Sequence, residues 1–205
     1  MRDVLRVENR EAFSAAIKVL FSGGVVAFPT ETFYGLAVDP FSESAVKRLY
    51  TLKRREPGKP VILLLGDLKD LDRLVAEVPK IARELMARFW PGPLTLVFRA
   101  RSEVPSWITG TTRTVAVRLS SHPVARTLPR LFGKPITGTS ANLSGYPPAR
   151  TPEEVRRYFP QIDFVFEGGT SPGERPSTLV SVVKGKPELL RPGVIPWEEV
   201  IKAGP

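Results

Sequence analysis

Short clusters of hydroxyl, amide, glycine, proline and basic residues interrupt the apolar segments of this sequence of 205 residues. Most of these clusters come directly after a predicted strand, where the loops of α/β proteins usually carry their binding residues. Each cluster alone is also compatible with an ordinary turn or helix end. Their chemistry is therefore judged from the side chains they combine and from their order along the chain.

Two clusters carry hydroxyl groups and show no helix signal of their own. Residues 29–35 read Pro-Thr-Glu-Thr-Phe-Tyr-Gly and follow the apolar run 25–28, and residues 139–145 read Thr-Ser-Ala-Asn-Leu-Ser-Gly and follow a strand predicted over 135–138. Such hydroxyls often satisfy local backbone groups in turns, but short polar side chains with free backbone amides can also cradle an anion. Neither the Walker A pattern nor Gly-x-Gly-x-x-Gly occurs in the sequence, so a phosphate site here needs another loop design.

Basic residues are concentrated in residues 53–60, Lys-Arg-Arg-Glu-Pro-Gly-Lys-Pro, between a predicted helix and the apolar run 61–65. Cations at a helix C-terminus are commonly solvated and simply complement the helix dipole. The prolines and the glycine stiffen this loop, however, and Arg and Lys suit the binding of a triphosphate. Arg118 ends another predicted strand, over 114–117, and is either a rim charge or a fork for a carboxylate.

The remaining clusters have less chemical content. Residues 89–95 form a rigid aromatic turn for which core packing is the better interpretation, residues 168–178 form a flexible loop that ends in hydroxyls, and residues 191–193 read Arg-Pro-Gly. The single histidine, His122, lies in a polar turn, which favours a surface position over a role as base or ligand. No residue is an evident nucleophile or tuned general base, so no catalytic side chain is assigned.

The amino-acid composition limits the classes of partner and site that this protein can have. The 30 Lys and Arg against 21 Asp and Glu give a net charge of +9, which is typical of a protein with an anionic partner such as nucleotide, phosphate or nucleic acid. The alternative interpretation of this net positive charge is the charge-rich, proline-rich surface of a thermophilic protein. Because the sequence contains no cysteine, a disulfide framework, a thiolate zinc site and a cysteine nucleophile are excluded.

Hydrophobic periodicity predicts helices alternating with short apolar strands along the chain. Helices are expected from Asn9, a candidate N-cap, to Phe21 and over 44–52, 79–89, 124–131 and 151–159, and strands over 25–28, 61–65, 94–98, 114–117, 135–138, 164–166 and 178–183. The last of these helices starts with a capping box. This order predicts an α/β fold with one open, twisted, mixed sheet and flanking helices, in a single domain over residues 1–205. The lack of a long apolar run predicts a soluble, cytoplasmic protein that does not enter a membrane.

Taken in order, the clusters resemble the signature motifs of the YrdC/Sua5 family of threonylcarbamoyl-AMP synthases. The matching segments cover nearly the whole chain and are residues 28–36, 53–55, 90–95, 115–118, 140–145, 173–178 and 190–193. Longer members of this family carry a second C-terminal domain, whereas this chain is similar to the short, single-domain form. The resemblance implies a YrdC-like fold with a concave basic cleft in which ATP and L-threonine bind side by side.

The resemblance also implies roles for individual residues. The threonine-side positions are Thr32, Arg118, Gly138 and Ser177. The ATP-side positions are Arg55, Lys59, Thr114, Ser140, Pro148 and Arg191. Lys53 matches a basic residue of a motif and is expected, with Arg55, to act electrostatically, while Asn142 belongs to the motif around Ser140 without an assigned contact.

The sequence departs from the family pattern in three places. Lys59 stands where many relatives have Asn, a change that still suits a phosphate. Leu64 stands where some relatives place a histidine that contacts threonine, so this contact is lost or replaced. Residues 174–177 read Glu-Arg-Pro-Ser rather than a small residue and Glu before Ser-Thr, which leaves the geometry at Ser177 open.

The implied reaction joins L-threonine, bicarbonate and ATP to threonylcarbamoyl-AMP and pyrophosphate, for the t6A37 modification of transfer RNA. Both reactants are anionic, so a cleft lined by Lys53, Arg55, Lys59, Arg118 and Arg191 would neutralise charge, and catalysis is expected mainly from positioning and electrostatics. Mg²⁺ is expected to arrive with ATP, held through phosphates and water, since no carboxylate cluster for a protein metal site is visible. The t6A transferase machinery is the implied acceptor of the adenylate.

Two alternatives stay open. In the first, the chain is an RNA-binding YrdC-like protein without synthase activity, whose basic cleft holds structured RNA and whose hydroxyl loops contact phosphates. The compact hydroxyl and amide motifs favour a small-molecule pocket instead, because tracking a phosphate backbone mainly needs cations. In the second, the chain is a paralogue that has lost synthase activity, which Leu64 permits but the intact motifs at 53–55 and 140–142 oppose.

Overall fold

A computed structural model describes residues 7–56 and 60–203 as a mixed α/β fold with flanking helices, which confirms the predicted class. Helices α1 to α7 span Val7–Phe21, Glu43–Lys53, Lys80–Phe89, Ser106–Thr109, Pro123–Phe132, Pro152–Tyr158 and Trp197–Lys202. Strands β1 to β10 span Val26–Phe28, Gly35–Ala37, Ile62–Leu64, Leu94–Arg99, Thr114–Arg118, Ile136–Thr137, Thr139–Ser140, Phe164–Val165, Thr178–Ser181 and Glu188–Arg191. None of these described helices is long and apolar enough to cross a lipid bilayer.

The predicted helix starts are confirmed in one case and wrong in another. At α6 the Thr151 hydroxyl accepts a hydrogen bond from the Glu154 N–H at 3.3 Å, and Pro152 follows at the first helical position. Thr151 thus caps the helix as predicted, but the Glu154 carboxylate accepts a hydrogen bond from the Arg150 N–H at 2.6 Å rather than from Thr151, so the predicted capping box is only half formed. Helix α1, in contrast, begins at Val7, so Asn9 lies inside the helix rather than at its N-cap.

His122 is not a simple surface residue but starts helix α5. Its Nδ1 accepts a hydrogen bond from the Val124 N–H at 3.2 Å, and Pro123 occupies the first turn of the helix. The side chain is half-buried; burial lowers its pKa, while the negative charge of Glu31 opposes this shift. A neutral imidazole, which can accept this hydrogen bond, is therefore the form that the position favours.

The strands divide into two mixed sheets instead of the single sheet that the sequence predicts. One sheet has six strands in the order β10-β9-β4-β5-β3-β6, and the other has four in the order β7-β2-β1-β8. Parallel pairing occurs between β3 and β5, between β4 and β9, and between β1 and β8, and the other pairs are antiparallel. Local patterns predict the strands but not their partners, because pairing depends on contacts between residues far apart in the chain.

The chain passes from one sheet to the other at Gly138. Thr137 ends the pairing of β6 with β3, and Thr139 begins the pairing of β7 with β2. The Gly138 N–H donates to the Ile62 carbonyl at 2.8 Å. A Cβ atom at position 138 would lie 2.5 Å from Leu64 Cγ, so only glycine lets the chain approach β3 this closely. Gly138 thereby joins the two sheets.

Alternation along β5 sends its side chains to two different environments. Val115 and Val117 are buried in the larger hydrophobic cluster of the molecule. Thr114, Ala116 and Arg118 belong to the opposite face, which lines an open cavity. One face of the six-stranded sheet is thus available to form a site.

The four-stranded sheet is covered on both of its faces. Along β1, Ala27 lies in the larger hydrophobic cluster, whereas Val26 and Phe28 lie in a second cluster together with residues of α1 and α5. Burial on both faces explains why residues 25–28 read as a continuous apolar run. The sheet therefore forms a rigid support for the loop that follows β1.

Candidate functional site

A cavity of about 680 Å³ opens between the free face of the six-stranded sheet and the loops that leave the four-stranded sheet. Side chains from β3, β4, β5, β9 and β10 line it, together with the loop after β1 and the junction of β6 with β7. The cationic residues of this lining are Arg55, Arg118 and Arg191, and no Asp, Glu or His belongs to its described residues. The charge of the cavity therefore favours an anionic ligand.

Arg118, at the end of β5, is held by three partners. Its Nε donates to the Gly92 carbonyl at 3.3 Å, and both terminal nitrogens lie 3.4 Å from the hydroxyl oxygen of Thr32. Its Nη2 forms an ion pair of 2.7 Å with the Glu31 carboxylate, and the side chain is only 7% exposed. The guanidinium is therefore held in one orientation at the cavity wall.

Glu31 is the carboxylate that compensates Arg118. One of its oxygens accepts a hydrogen bond from the Ser120 hydroxyl, and the other accepts one from the Ser121 N–H at 3.2 Å. Burial alone would raise the pKa of Glu31, but the charge of Arg118 and the Ser120 hydrogen bond outweigh burial and lower the pKa below its ordinary value. Glu31 is therefore ionised near neutral pH and anchors Arg118.

The loop after β1 is shaped by its own hydroxyls. Thr30 donates to the Phe33 carbonyl at 2.7 Å and accepts a hydrogen bond from the Thr32 N–H at 3.1 Å. Thr30 therefore serves the turn, as hydroxyls in such loops commonly do. The Thr32 hydroxyl instead reaches Arg118 and lines the cavity.

Ser177 and Arg191 meet where β9 and β10 lie side by side. Arg191 donates through Nη2 to the Ser177 carbonyl at 2.9 Å and to the Ser177 hydroxyl at 3.2 Å. The same hydroxyl lies 2.8 Å from that of Thr95 on β4. The loop over 174–177, although its sequence departs from the family pattern, thus brings Ser177 to the cavity beside Arg191.

Arg55 and Arg191 carry positive charge at the cavity without a carboxylate partner among the ion pairs of the described residues. The Nε atoms of Arg55 and Arg191 are buried and have no hydrogen-bond acceptor among residues 7–56 and 60–203. Burial lowers the pKa of Arg191, and the positive charge of Arg118 lowers it further. The cavity thus gathers three positive charges, of which only Arg118 has a carboxylate partner within salt-bridge distance among the described residues.

Arg55 enters the cavity from the end of α2. Its Nη1 lies 3.4 Å from the Thr139 hydroxyl oxygen, and its Nη2 donates to the Pro60 carbonyl at 2.8 Å. The guanidinium carbon also lies 5.6 Å from the ring centre of Tyr50, a cation–π contact. These contacts hold the guanidinium beside the junction of β6 with β7, where Ser140 lines the cavity.

Lys53 is not among the described residues that line the cavity. It is 3% exposed, and its Nζ donates to the backbone carbonyls of Ser140 and Asn142 and to the Asn142 side-chain oxygen. Burial, together with the charge of Arg55, lowers the pKa of Lys53 to about 7. The structure thus places Lys53 behind the cavity wall, where it supports the turn at 140–142 instead of facing a ligand.

Most positions implied by the family resemblance fall on this one cavity. Its lining includes Thr32, Arg55, Leu64, Thr114, Arg118, Gly138, Ser140, Pro148, Ser177 and Arg191. Lys53 and Asn142 lie behind Ser140, and Lys59 lies outside the described residues. Leu64 lies against Gly138 and lines the cavity with an apolar side chain.

Glu31 and Ser120 hold Arg118, a role that the sequence predicts for neither, although Glu31 lies within the cluster 29–35. Glu31 acts through Arg118, which is far along the chain, and no local spacing reports such a pair. A signal does exist for the burial of Lys53. It lies four residues after Leu49 on the buried face of α2, so helical spacing places its side chain inward.

The described residues offer no protein metal site. Among residues 7–56 and 60–203, no group of three or more His, Cys, Asp or Glu side chains is arranged to hold a metal ion. Glu31, the carboxylate that contacts Arg118, is engaged by that guanidinium and by Ser120.

Comparison with known proteins connects these features to a family. The sequence profile of the Sua5/YciO/YrdC family, described as "Telomere recombination", matches residues 18–193. The chain is 41% identical over 187 residues to the threonylcarbamoyl-AMP synthase of Escherichia coli strain K12, with 90% of this chain and 97% of the relative covered. It is also 41% identical over 181 residues to the threonylcarbamoyl-AMP synthase of Pyrococcus abyssi, with 88% of this chain and 53% of the relative covered.

The fold agrees with a solved structure of the same kind. The crystal structure of P. abyssi Sua5 complexed with L-threonine matches with a TM-score of 0.89 and 39% identity, over 93% of this chain and 56% of that chain. The chain thus spans about half the length of the P. abyssi relatives and nearly the full length of the E. coli relative. By the profile match and these identities, the chain belongs to the Sua5/YciO/YrdC family.

Proposed function

We propose that the chain is an L-threonylcarbamoyladenylate synthase, a nucleotidyltransferase that forms threonylcarbamoyl-AMP and pyrophosphate from L-threonine, bicarbonate and ATP. The product serves the t6A37 modification of transfer RNA. The observation that carries the proposal is the convergence of Arg55, Arg118 and Arg191 on one cavity together with the hydroxyls of Thr32 and Ser177. The relatives named threonylcarbamoyl-AMP synthase and the threonine complex of P. abyssi Sua5 support it.

L-Threonine is assigned to the end of the cavity at Arg118. Both terminal nitrogens of Arg118 reach the Thr32 hydroxyl oxygen at 3.4 Å, and a substrate carboxylate that displaces this long contact would meet paired donors on a guanidinium held by Glu31. A single point charge cannot offer such a pair. The hydroxyls of Thr32 and Ser177 are buried at the cavity wall and suit the hydroxyl or amine of the substrate, with the backbone at Gly138 as a further contact. This end of the cavity therefore has a partner for each polar group of threonine.

ATP is assigned to the part of the cavity around Arg55. The guanidinium groups of Arg55 and Arg191 line the cavity and can offer positive charge and N–H donors to phosphate oxygens. The other residues assigned to the nucleotide are Thr114, Ser140, Pro148 and Lys59, of which the last is a prediction from sequence. Mg²⁺ belongs to this proposal as part of the MgATP substrate, bound through phosphates and water.

The reaction brings two anions together, the carbamate of threonine and the triphosphate of ATP. The threonine amine adds to bicarbonate and loses water to give a carbamate, and a carbamate oxygen then attacks the α-phosphorus of ATP while pyrophosphate leaves. The charges of Arg191 and Arg118 interact, so the pair can hold the carbamate and the phosphate together against their repulsion. Arg55 neutralises negative charge that builds on the leaving pyrophosphate. We therefore assign the rate enhancement to positioning and charge neutralisation.

Residues 1–205 are assigned to one YrdC-like domain that acts in the cytoplasm, where ATP and transfer RNA are present. The family profile spans residues 18–193, and β6 and β7 link the sheets through Gly138, which supports a single unit. The t6A transferase machinery is the proposed acceptor of the adenylate. The net charge of +9 supports contact with RNA as well.

Pyrophosphate release tests the proposed function. With ATP, L-threonine and bicarbonate together, pyrophosphate and threonylcarbamoyl-AMP should form in equal amounts, and release should fall to background when threonine or bicarbonate is omitted. Mass spectrometry of the adenylate identifies the product. Equal pyrophosphate release without threonine would contradict the proposal, and salt-sensitive RNA binding without ATP consumption would favour an RNA-binding protein.

A further inference from the structure

Lys53 is the last residue of α2 and lies behind the wall of the cavity. Its Nζ donates to the Ser140 carbonyl, to the Asn142 carbonyl at 2.9 Å and to the Asn142 side-chain oxygen, 3.4 Å away. All three acceptors are uncharged. A lysine that is 3% exposed normally needs a carboxylate partner, because removing an ammonium group from water is costly. The position of Lys53 therefore calls for a reason other than stability.

The residues that receive these hydrogen bonds form the turn that presents Ser140 to the cavity. The Ser140 hydroxyl donates to the Asn142 side-chain oxygen at 2.6 Å, and the Asn142 amide donates to two carbonyls later in the turn at 2.9 and 2.8 Å. The Ser144 N–H donates to the Lys53 carbonyl at 3.0 Å. Lys53 is thus bound to the turn through both its side chain and its backbone.

We propose that Lys53 is a positioning residue for nucleotide binding, which fixes the turn at 140–142 and touches no substrate atom. This inference rests on the proposed function, in which Ser140 and Arg55 contact ATP. Loss of the Lys53 side chain would release the turn and move Ser140 from the place that its hydroxyl occupies at the cavity. A long-range attraction between the charge of Lys53 and ATP is the competing explanation.

Steady-state kinetics of Lys53→Met and Lys47→Met form the first experiment. Methionine keeps an unbranched apolar side chain but removes all the donated hydrogen bonds. Lys47 is an exposed lysine of the same helix, so its variant removes a lysine that does not contact the turn. We expect Lys53→Met to raise the KM for ATP by about tenfold or more and the KM for threonine by less than about twofold, and Lys47→Met to change neither. A purely structural role would lower the folded fraction and kcat with the KM for ATP unchanged, and that result would overturn the proposal.

A double-mutant cycle with Ser140→Ala separates positioning from long-range charge. If Lys53 acts through the turn, Lys53→Met should raise the KM for ATP much less in the Ser140→Ala background, because the contact that it positions is already lost. Effects that multiply in the double variant and shrink at high ionic strength would identify a charge effect and overturn the proposal.

Hydrogen exchange supplies a test that does not depend on catalysis. Amides of residues 139–146 should exchange faster in Lys53→Met than in Lys47→Met, and unchanged exchange would overturn the positioning role whatever reaction the protein performs. If Lys53→Met does not fold, Lys53→Gln replaces it, because glutamine keeps a polar side chain but is too short to make the hydrogen bonds of Nζ to the turn. It should raise the KM for ATP in the same direction, and an unchanged value would overturn the proposal. A lack of synthase activity in the unsubstituted protein would count against the proposed function alone.

Discussion

The Glu31 carboxylate lies 2.7 Å from the guanidinium of Arg118, and these two side chains are only 16% and 7% exposed. The pair stands at the wall of a cavity that Arg55 and Arg191 also line, so it does not neutralise the cavity as a whole. Its effect is on orientation, because a carboxylate that engages one part of a guanidinium fixes the plane of the whole group. A second carboxylate, that of a substrate, then meets donors already in place.

Replacing Glu31 by glutamine should weaken threonine binding and spare ATP binding. Glutamine keeps the shape but removes the charge that holds Arg118, and hydrogen bonds to charged groups contribute about 1.5–3 kcal/mol, so the threonine dissociation constant should rise by about tenfold or more. Calorimetric titration at saturating ATP measures this change. The matched control is Glu103→Gln, at an exposed carboxylate that pairs with Arg101, and it should change nothing. Unchanged threonine affinity in Glu31→Gln would show that Glu31 does not contribute to threonine binding.

The ionisation of Glu31 should also appear in acid stability. Its pKa is lowered in the folded protein, so its contribution to the free energy of unfolding is present above its ordinary pKa of 4.5 and is lost as the pH falls through the folded value. Urea unfolding of the unsubstituted protein and of Glu31→Gln should give a difference that is constant from about pH 7 to about pH 5.5 and shrinks at lower pH. A difference that does not vary with pH would mean that Glu31 is not held as a carboxylate.

Arg118→Lys should raise the threonine dissociation constant and leave ATP binding nearly unchanged. Lysine offers a point charge and cannot donate to Gly92, Thr32 and Glu31 together, as the guanidinium does. We expect threonine affinity to fall by about tenfold to a hundredfold in a titration at saturating ATP. Arg99→Lys, at the exposed end of β4, is the control. Equal threonine dissociation constants in Arg118→Lys and the unsubstituted protein would exclude Arg118 from the threonine site.

Arg55→Ala should weaken ATP binding far more than threonine binding. The variant removes a guanidinium whose Nε has no acceptor in the described part of the chain, and the loss of a charge-assisted contact with phosphate corresponds to about ten- to a hundredfold in affinity. Arg54→Gly is the matched control, since Arg54 is exposed, carries the same charge and has a backbone φ of 49° that glycine adopts without strain. Calorimetry that gives the same ATP affinity for both variants would exclude Arg55 from the nucleotide site.

Strand β5 and the helix start at Thr151 are examples of features that local sequence predicts correctly. An apolar, β-branched run and a capping pattern each depend only on residues that are close together in the sequence. The division of the strands into two sheets is different. It depends on Gly138, which resembles any glycine after a strand until folding brings Leu64 against it.

Sequence alone establishes the inventory of the site: hydroxyl loops at strand ends, a stiff basic loop, an arginine at the end of β5 and no cysteine. The order of these motifs is enough to identify the family. Folding settles which cations face the ligand. Lys53 and Arg55 are two residues apart, yet Arg55 lines the cavity while Lys53 binds the turn at 140–142 behind it. Hydrogen bonds and charge interactions depend on distance in space, and the acceptors that orient Lys53 come from a distant segment that only folding brings within reach.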